Sequence, residues 1–67
     1  MNKRHGGPYD RGAADSYYGR ARDPHYYVKD TYSSERIASV DMTDDEIAEY
    51  NAGYDENEAL GIKKDWN

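Results

Sequence analysis

Apolar positions are sparse along this 67-residue chain, and only one stretch repeats them with a helical period. Ile47, Tyr50 and Tyr54 recur at spacings of three and four, which lines one face of an α-helix. Asn51 flanks that stripe, while Asp45, Glu49, Asp55, Glu56 and Glu58 fall on the other faces. The start of the helix is equally marked. Thr43 followed three residues later by Glu46 is a capping box, in which the hydroxyl accepts from the N3 amide and the Glu carboxylate reaches back to the N-cap amide. Asp44, Asp45 and Glu46 in the first turn complement the positive end of the macrodipole. Met42, just ahead of the cap, can pack on Ile47 as a hydrophobic staple. Gly61 supplies the left-handed residue on which helices commonly end, so the pattern predicts a helix over 44–60. Gly53 inside it costs about 0.5–1 kcal/mol relative to alanine. Either the helix tolerates that cost or another segment approaches its backbone there.

The first half has no comparable pattern. Residues 1–32 hold Tyr9, Tyr17, Tyr18, Tyr26, Tyr27 and Tyr32 as singles and doublets, with no lasting period of 2 or 3.6. Gly6-Gly7-Pro8, Gly12, Gly19 and Asp23-Pro24 each disfavour a continued helix or strand. One helical turn over 13–18 and a short strand over 26–28 are the most this segment offers. Residues 33–42 read as a polar linker with room for a brief strand over 36–40. The expected architecture is a mostly irregular small protein: a Tyr/Gly/Arg-rich extended arm (1–32), a polar linker (33–42), and one acidic C-terminal helix with a folded-back tail (43–67). Its local core would be Ile47, Tyr50, Tyr54, Leu60, Ile62 and Trp66, with Ile62 and Trp66 folding back onto Tyr54 or Leu60. Lys63 and Lys64 would sit near the negative end of the helix.

Composition sharpens this picture. Leu, Ile, Val and Phe together number six (Val28, Ile37, Val40, Ile47, Leu60, Ile62), well under the share with which a chain offsets its ordering entropy. Eight tyrosines and one tryptophan supply the remaining rigid contact area. Such a chain is expected to be marginal alone and ordered by a partner. Cysteine is absent, which excludes disulfides, thiolate nucleophiles and thiolate metal sites. The N-terminus is basic but lacks an apolar run behind it, so it does not read as a signal peptide. No stretch approaches the length of a membrane span.

Charge divides the chain. Residues 1–30 carry a net +2 and residues 31–67 a net −7, with eight acids and no base between positions 41 and 58. This asymmetry favours charge-guided contacts with a partner. Catalytic chemistry finds no support: the serines have no G-x-S-x-G elbow, and Gly6-Gly7 is not followed by the Lys of a phosphate loop. His5 and His25 are too isolated for a zinc site. The acidic stretch 41–46 lacks the glycine of a calcium loop. No metal, cofactor or small-molecule substrate is expected.

What remains is recognition. Tyrosine and arginine are enriched among the anchors of protein interfaces, which makes Tyr9, Arg11, Tyr17, Tyr18, Arg20, Tyr26 and Tyr27 candidate partner-binding residues. Asp45, Glu49, Asp55 and Glu56 would steer the helix onto a basic surface of a protein target. The alternative is single-stranded or ribosomal RNA held by the Tyr/Arg arm through stacking and cation–π contacts, although little surplus positive charge is present to drive it.

The string His5-Gly6-Gly7-Pro8-Tyr9-Asp10-Arg11-Gly12, continued by Ala14-Asp15-Ser16-Tyr17-Tyr18-Gly19-Arg20 and Asp23-Pro24-His25-Tyr26-Tyr27, resembles the N-terminal signature of short accessory proteins of tailed bacteriophages. The threonine-capped helix at Thr43–Glu46 and the closing Lys64-Asp65-Trp66 extend that resemblance over most of the chain. It implies a non-catalytic protein that binds a host or viral protein in the host cytoplasm and inhibits or modulates it by occlusion, with a structural component of the virion as an alternative. Tyr50-Asn51-Ala52-Gly53-Tyr54 with Gly61 is similar to a pattern in ribosome modulation factor, whose members are basic where this helix is acidic.

Overall fold

The computed structural model describes residues 3–29 and 35–64. Its elements run α1 (Pro8–Tyr17), β1 (His25–Tyr27), β2 (Arg36–Ala38), a single 3-10 turn (Ser39–Asp41) and α2 (Asp44–Leu60). The expectation of one C-terminal helix behind an extended arm is thereby corrected: there are two helices and an antiparallel two-stranded hairpin. The region read as arm contains α1 and β1, and the region read as linker contains β2 and the 3-10 turn.

Two of the sites that looked like breakers, Gly7-Pro8 and Gly19, are the boundaries of α1, and Gly12 lies inside it. Gly7 is its extended N-cap and Pro8 its first residue, where a missing N–H is no loss and the fixed φ already suits the helix. Asp10 accepts a hydrogen bond from the Gly6 amide at 2.9 Å and faces the positive end of the helix. At the other end Gly19 is left-handed, with φ of 71°. The Gly19 amide donates to the Ser16 carbonyl and the Arg20 amide to the Asp15 carbonyl, which together make a Schellman motif.

The second helix forms as its sequence predicts. The Thr43 hydroxyl accepts from the Glu46 amide at 3.1 Å, and the Thr43 amide donates to Glu46 Oε1 at 2.8 Å. Gly61 is left-handed at the far end. Met42 ahead of the cap is buried.

The two helices meet at a pair of glycines. A Cβ on Gly12 would lie 2.0 Å from the Tyr50 carbonyl oxygen, and one on Gly53 would lie 2.1 Å from that of Tyr9. No side chain larger than hydrogen fits at either position. Gly53 is therefore where α1 comes against the backbone of α2, and the propensity it costs is the condition for that approach.

The hairpin pairs His25 with Ala38, Tyr26 with Ile37 and Tyr27 with Arg36. It is tied to the N-terminus by the Tyr27 amide, which donates to the Gly6 carbonyl at 2.7 Å. Beyond α2 the chain turns back along α1, where the Lys64 amide donates to the Tyr17 carbonyl at 2.7 Å and Lys63 Nζ to the Ser16 carbonyl at 2.9 Å. Lys63 thus sits at the negative end of α1 and also bonds Glu58 in the last turn of α2. The fold-back is polar: Leu60 and Ile62, expected in the local core, are 64% and 53% exposed. Ile47 and Tyr54 are half-buried and Tyr50 is fully buried; Trp66 and Tyr32 lie outside the described residues.

Candidate functional site

The centre of the molecule is polar. Tyr50 and Ser16 are completely buried, and Asp15, His25 and Arg11 are nearly so. α1 places Arg11, Asp15 and Ser16 on its inner face, α2 contributes Tyr50, and β1 contributes His25. The Tyr50 hydroxyl donates to Asp15 Oδ2, and accepts from the Asp23 amide at 3.0 Å. Burial, reinforced by the Asp15 carboxylate, pushes the Tyr50 phenol well above its ordinary value of 10. His25 Nδ1 lies 2.7 Å from the Asp23 carbonyl. A carbonyl can only accept, so Nδ1 carries the proton and Nε2 offers its lone pair to Arg11 Nε–H at 3.2 Å. Through that bond His25 fixes the plane of the Arg11 guanidinium.

Arg11, Asp15, Asp23 and His25 open onto a cleft of about 420 Å³ that Arg20, Ala21, Tyr27 and Arg36 also line. Arg20 lies 3.5 Å from Asp15, and Arg36 is paired with Asp23 at 3.1 Å. Arg11 also stacks against the Tyr27 ring, 5.6 Å from its centroid. Among the described residues no group of three or more His, Asp or Glu is arranged to hold a metal ion.

The candidate partner-binding residues do not form one site. Tyr9 and Arg11 are buried because α1 turns them against α2 and the hairpin. The Tyr9 phenol is raised by its hydrogen bond to Glu56. Tyr17 and Tyr18 are exposed at the end of α1 with their rings edge to face. Arg20 and Lys64 both stand over the Tyr18 ring. Tyr26 and Tyr27 are half-buried on the hairpin, and Tyr26 bonds Glu46. On α2, Asp55 is held by Arg22, which also bonds Asn51 and stacks on Tyr54. Glu49 is half-buried and engaged within the chain, whereas Asp45 is exposed.

Sequence reasoning missed Asp15, Asp23, His25 and Arg36. The signal was present once α1 is placed: Tyr9, Gly12, Asp15 and Ser16 recur at helical spacing and form its buried face. A search for apolar periodicity passes over a stripe made of glycine, serine and aspartate. Comparison with protein families, with curated proteins and with solved structures finds no match for this chain.

Proposed function

We propose that this protein is a non-catalytic binding module that docks on a basic surface of a protein target and occludes it. The observation that carries this reading is the acidic entrance to α2. Asp41, Asp44 and Asp45 are exposed, and their side chains make no hydrogen bond or ion pair among the described residues. The other acids of α2 are engaged internally: Glu46 in the cap, Glu49 within the chain, Asp55 with Arg22, Glu56 with Tyr9 and Glu58 with Lys63. Val40, 86% exposed, stands beside the unpaired acids. Unpaired carboxylates around an exposed apolar side chain suit long-range steering followed by a short apolar contact. At the opposite end of α2, Tyr17 and Tyr18 provide a second, aromatic contact. By the resemblance to phage accessory proteins, the target is a host or viral protein.

Affinity capture from a bacterial lysate tests this reading. The wild type is expected to retain a protein that raised salt releases and nuclease treatment leaves in place. A variant carrying Asp41→Asn, Asp44→Asn and Asp45→Asn should lose it. Equal retention by that variant, or retention abolished by nuclease, would contradict the proposal; the second result would point to RNA.

A further inference from the structure

The cleft beside His25 contains a buried charge whose hydrogen bonds are incomplete. Arg11 is only 8% exposed and lines the cleft. Its Nε–H donates to His25 Nε2, but neither terminal nitrogen makes a hydrogen bond among the described residues. Asp15 Oδ1 stands 3.9 Å from Nη2, beyond hydrogen-bond reach. That carboxylate answers the charge of Arg11 as an ion partner, but it leaves the terminal N–H donors without an acceptor, which is costly for buried groups.

Two further guanidinium groups share the cleft. Arg20 follows α1 and Arg36 lies on β2, with side chains 55% and 44% exposed. Of the two carboxylates present, buried Asp15 receives the Tyr50 hydroxyl and is shared between Arg11 and Arg20, while the Arg36–Asp23 pair is largely exposed and weakened by water. Three arginines from three different parts of the fold thus line the cleft against two carboxylates, Asp15 beside Arg11 and Arg20 and Asp23 beside Arg36, which leaves an excess of one positive charge.

We propose that this cleft binds the phosphate of a small phosphomonoester, such as a nucleoside monophosphate. A tetrahedral phosphate offers three terminal oxygens and can accept from three guanidinium forks at once, whereas a planar carboxylate satisfies one. Arg11 is the buried anchor, aligned by His25, and the half-exposed Arg20 and Arg36 close on the group from outside. The volume of about 420 Å³ exceeds what phosphate alone needs and falls in the range of small-ligand sites. Asp41, Asp44 and Asp45 do not line this cleft, so the ligand site stands apart from the docking surface and the two fail or hold separately.

The test is an NMR titration of the full chain at constant ionic strength, following the arginine Nε–Hε resonances with inorganic phosphate, a nucleoside monophosphate and acetate. The Arg11 resonance is expected to shift saturably with phosphate, to saturate at lower concentration with the monophosphate, and to stay in place with acetate. Arg20→Gln and Arg36→Gln, both at half-exposed positions, should keep a dispersed spectrum and each weaken monophosphate binding about tenfold. No saturable shift at Arg11 with either phosphate, an equal response to acetate, or unchanged affinity in both variants would overturn the proposal.

Discussion

The hydroxyl of Tyr50 carries more of this structure than its ring alone would. It is the donor to a buried carboxylate and the acceptor for a loop amide, so it joins α2 to α1 and to the entry of the hairpin. Tyr50→Phe keeps the ring and removes that link, leaving Asp15 short of a donor. The expected loss is about 1–3 kcal/mol, read from urea denaturation. The phenol also gives the fold an alkaline limit. Because its folded value is raised above the ordinary 10, the contribution is complete below pH 10 and is lost as pH rises through the raised value. Stability is therefore expected to fall above pH 10, in step with the late-titrating part of the tyrosine absorbance. A Tyr50→Phe variant should show a weaker decline. At this scale the sequence was only half readable. The spacing of Ile47, Tyr50 and Tyr54 marked Tyr50 as a core residue, but its polar role depends on Asp15, which lies 35 residues away in sequence. Leu60 and Ile62 were misjudged for a related reason: apolar character alone placed them inside, while Lys63, Lys64 and Asn57 hold the returning tail through hydrogen bonds.

Between the helices, two glycines decide whether the fold exists. In an isolated helix Gly53→Ala gains about 0.5–1 kcal/mol of propensity. In this structure the added methyl would lie 2.1 Å from the Tyr9 carbonyl oxygen, and overpacking of that kind costs about 1–3 kcal/mol or more. Gly53→Ala and Gly12→Ala are therefore both expected to lower the thermal midpoint. A rise in either variant would mean that α1 does not lie against α2. The sign of the change thus separates the two-helix fold from an extended arm beside a lone helix. Element by element, α2 was legible to the residue because a capping box, an acidic first turn and a terminal glycine all agree. The opposing helix was hidden by its own boundary signals, since Gly7-Pro8 and Gly19 were read as breaks when they are a start and a stop. The pairing of residues near 26 and 37 was foreseen only as two loose strand tendencies, because nothing local fixes their register.

For the whole molecule, the shortage of aliphatic side chains is met by other means. A chain with six Leu, Ile, Val and Phe residues cannot build a conventional core. Here the interior is instead tyrosine packed with hydrogen-bonded Asp15, Ser16, His25 and Arg11. Such a centre is costly to leave partly satisfied, which links the stability of the fold to the state of the cleft that Arg11 lines. Charge is divided in the same manner. Most acids of α2 answer to a base or hydroxyl of the first half of the chain or of the tail, and those without a partner among the described residues gather where α2 begins. That distribution was legible as an imbalance along the sequence, but which acids remain free depends on which arginines the fold brings across.

In place of a chain ordered only by a partner, α1 and α2 are expected to close into one unit in the free protein. Native-state hydrogen exchange of the isolated chain measures this directly, amide by amide. The amides of residues 12–17 in α1 and 50–58 in α2 are expected to be protected and to exchange through one shared opening event. Protection confined to α2, with residues 12–17 exchanging at the rates of an unstructured peptide, would contradict it.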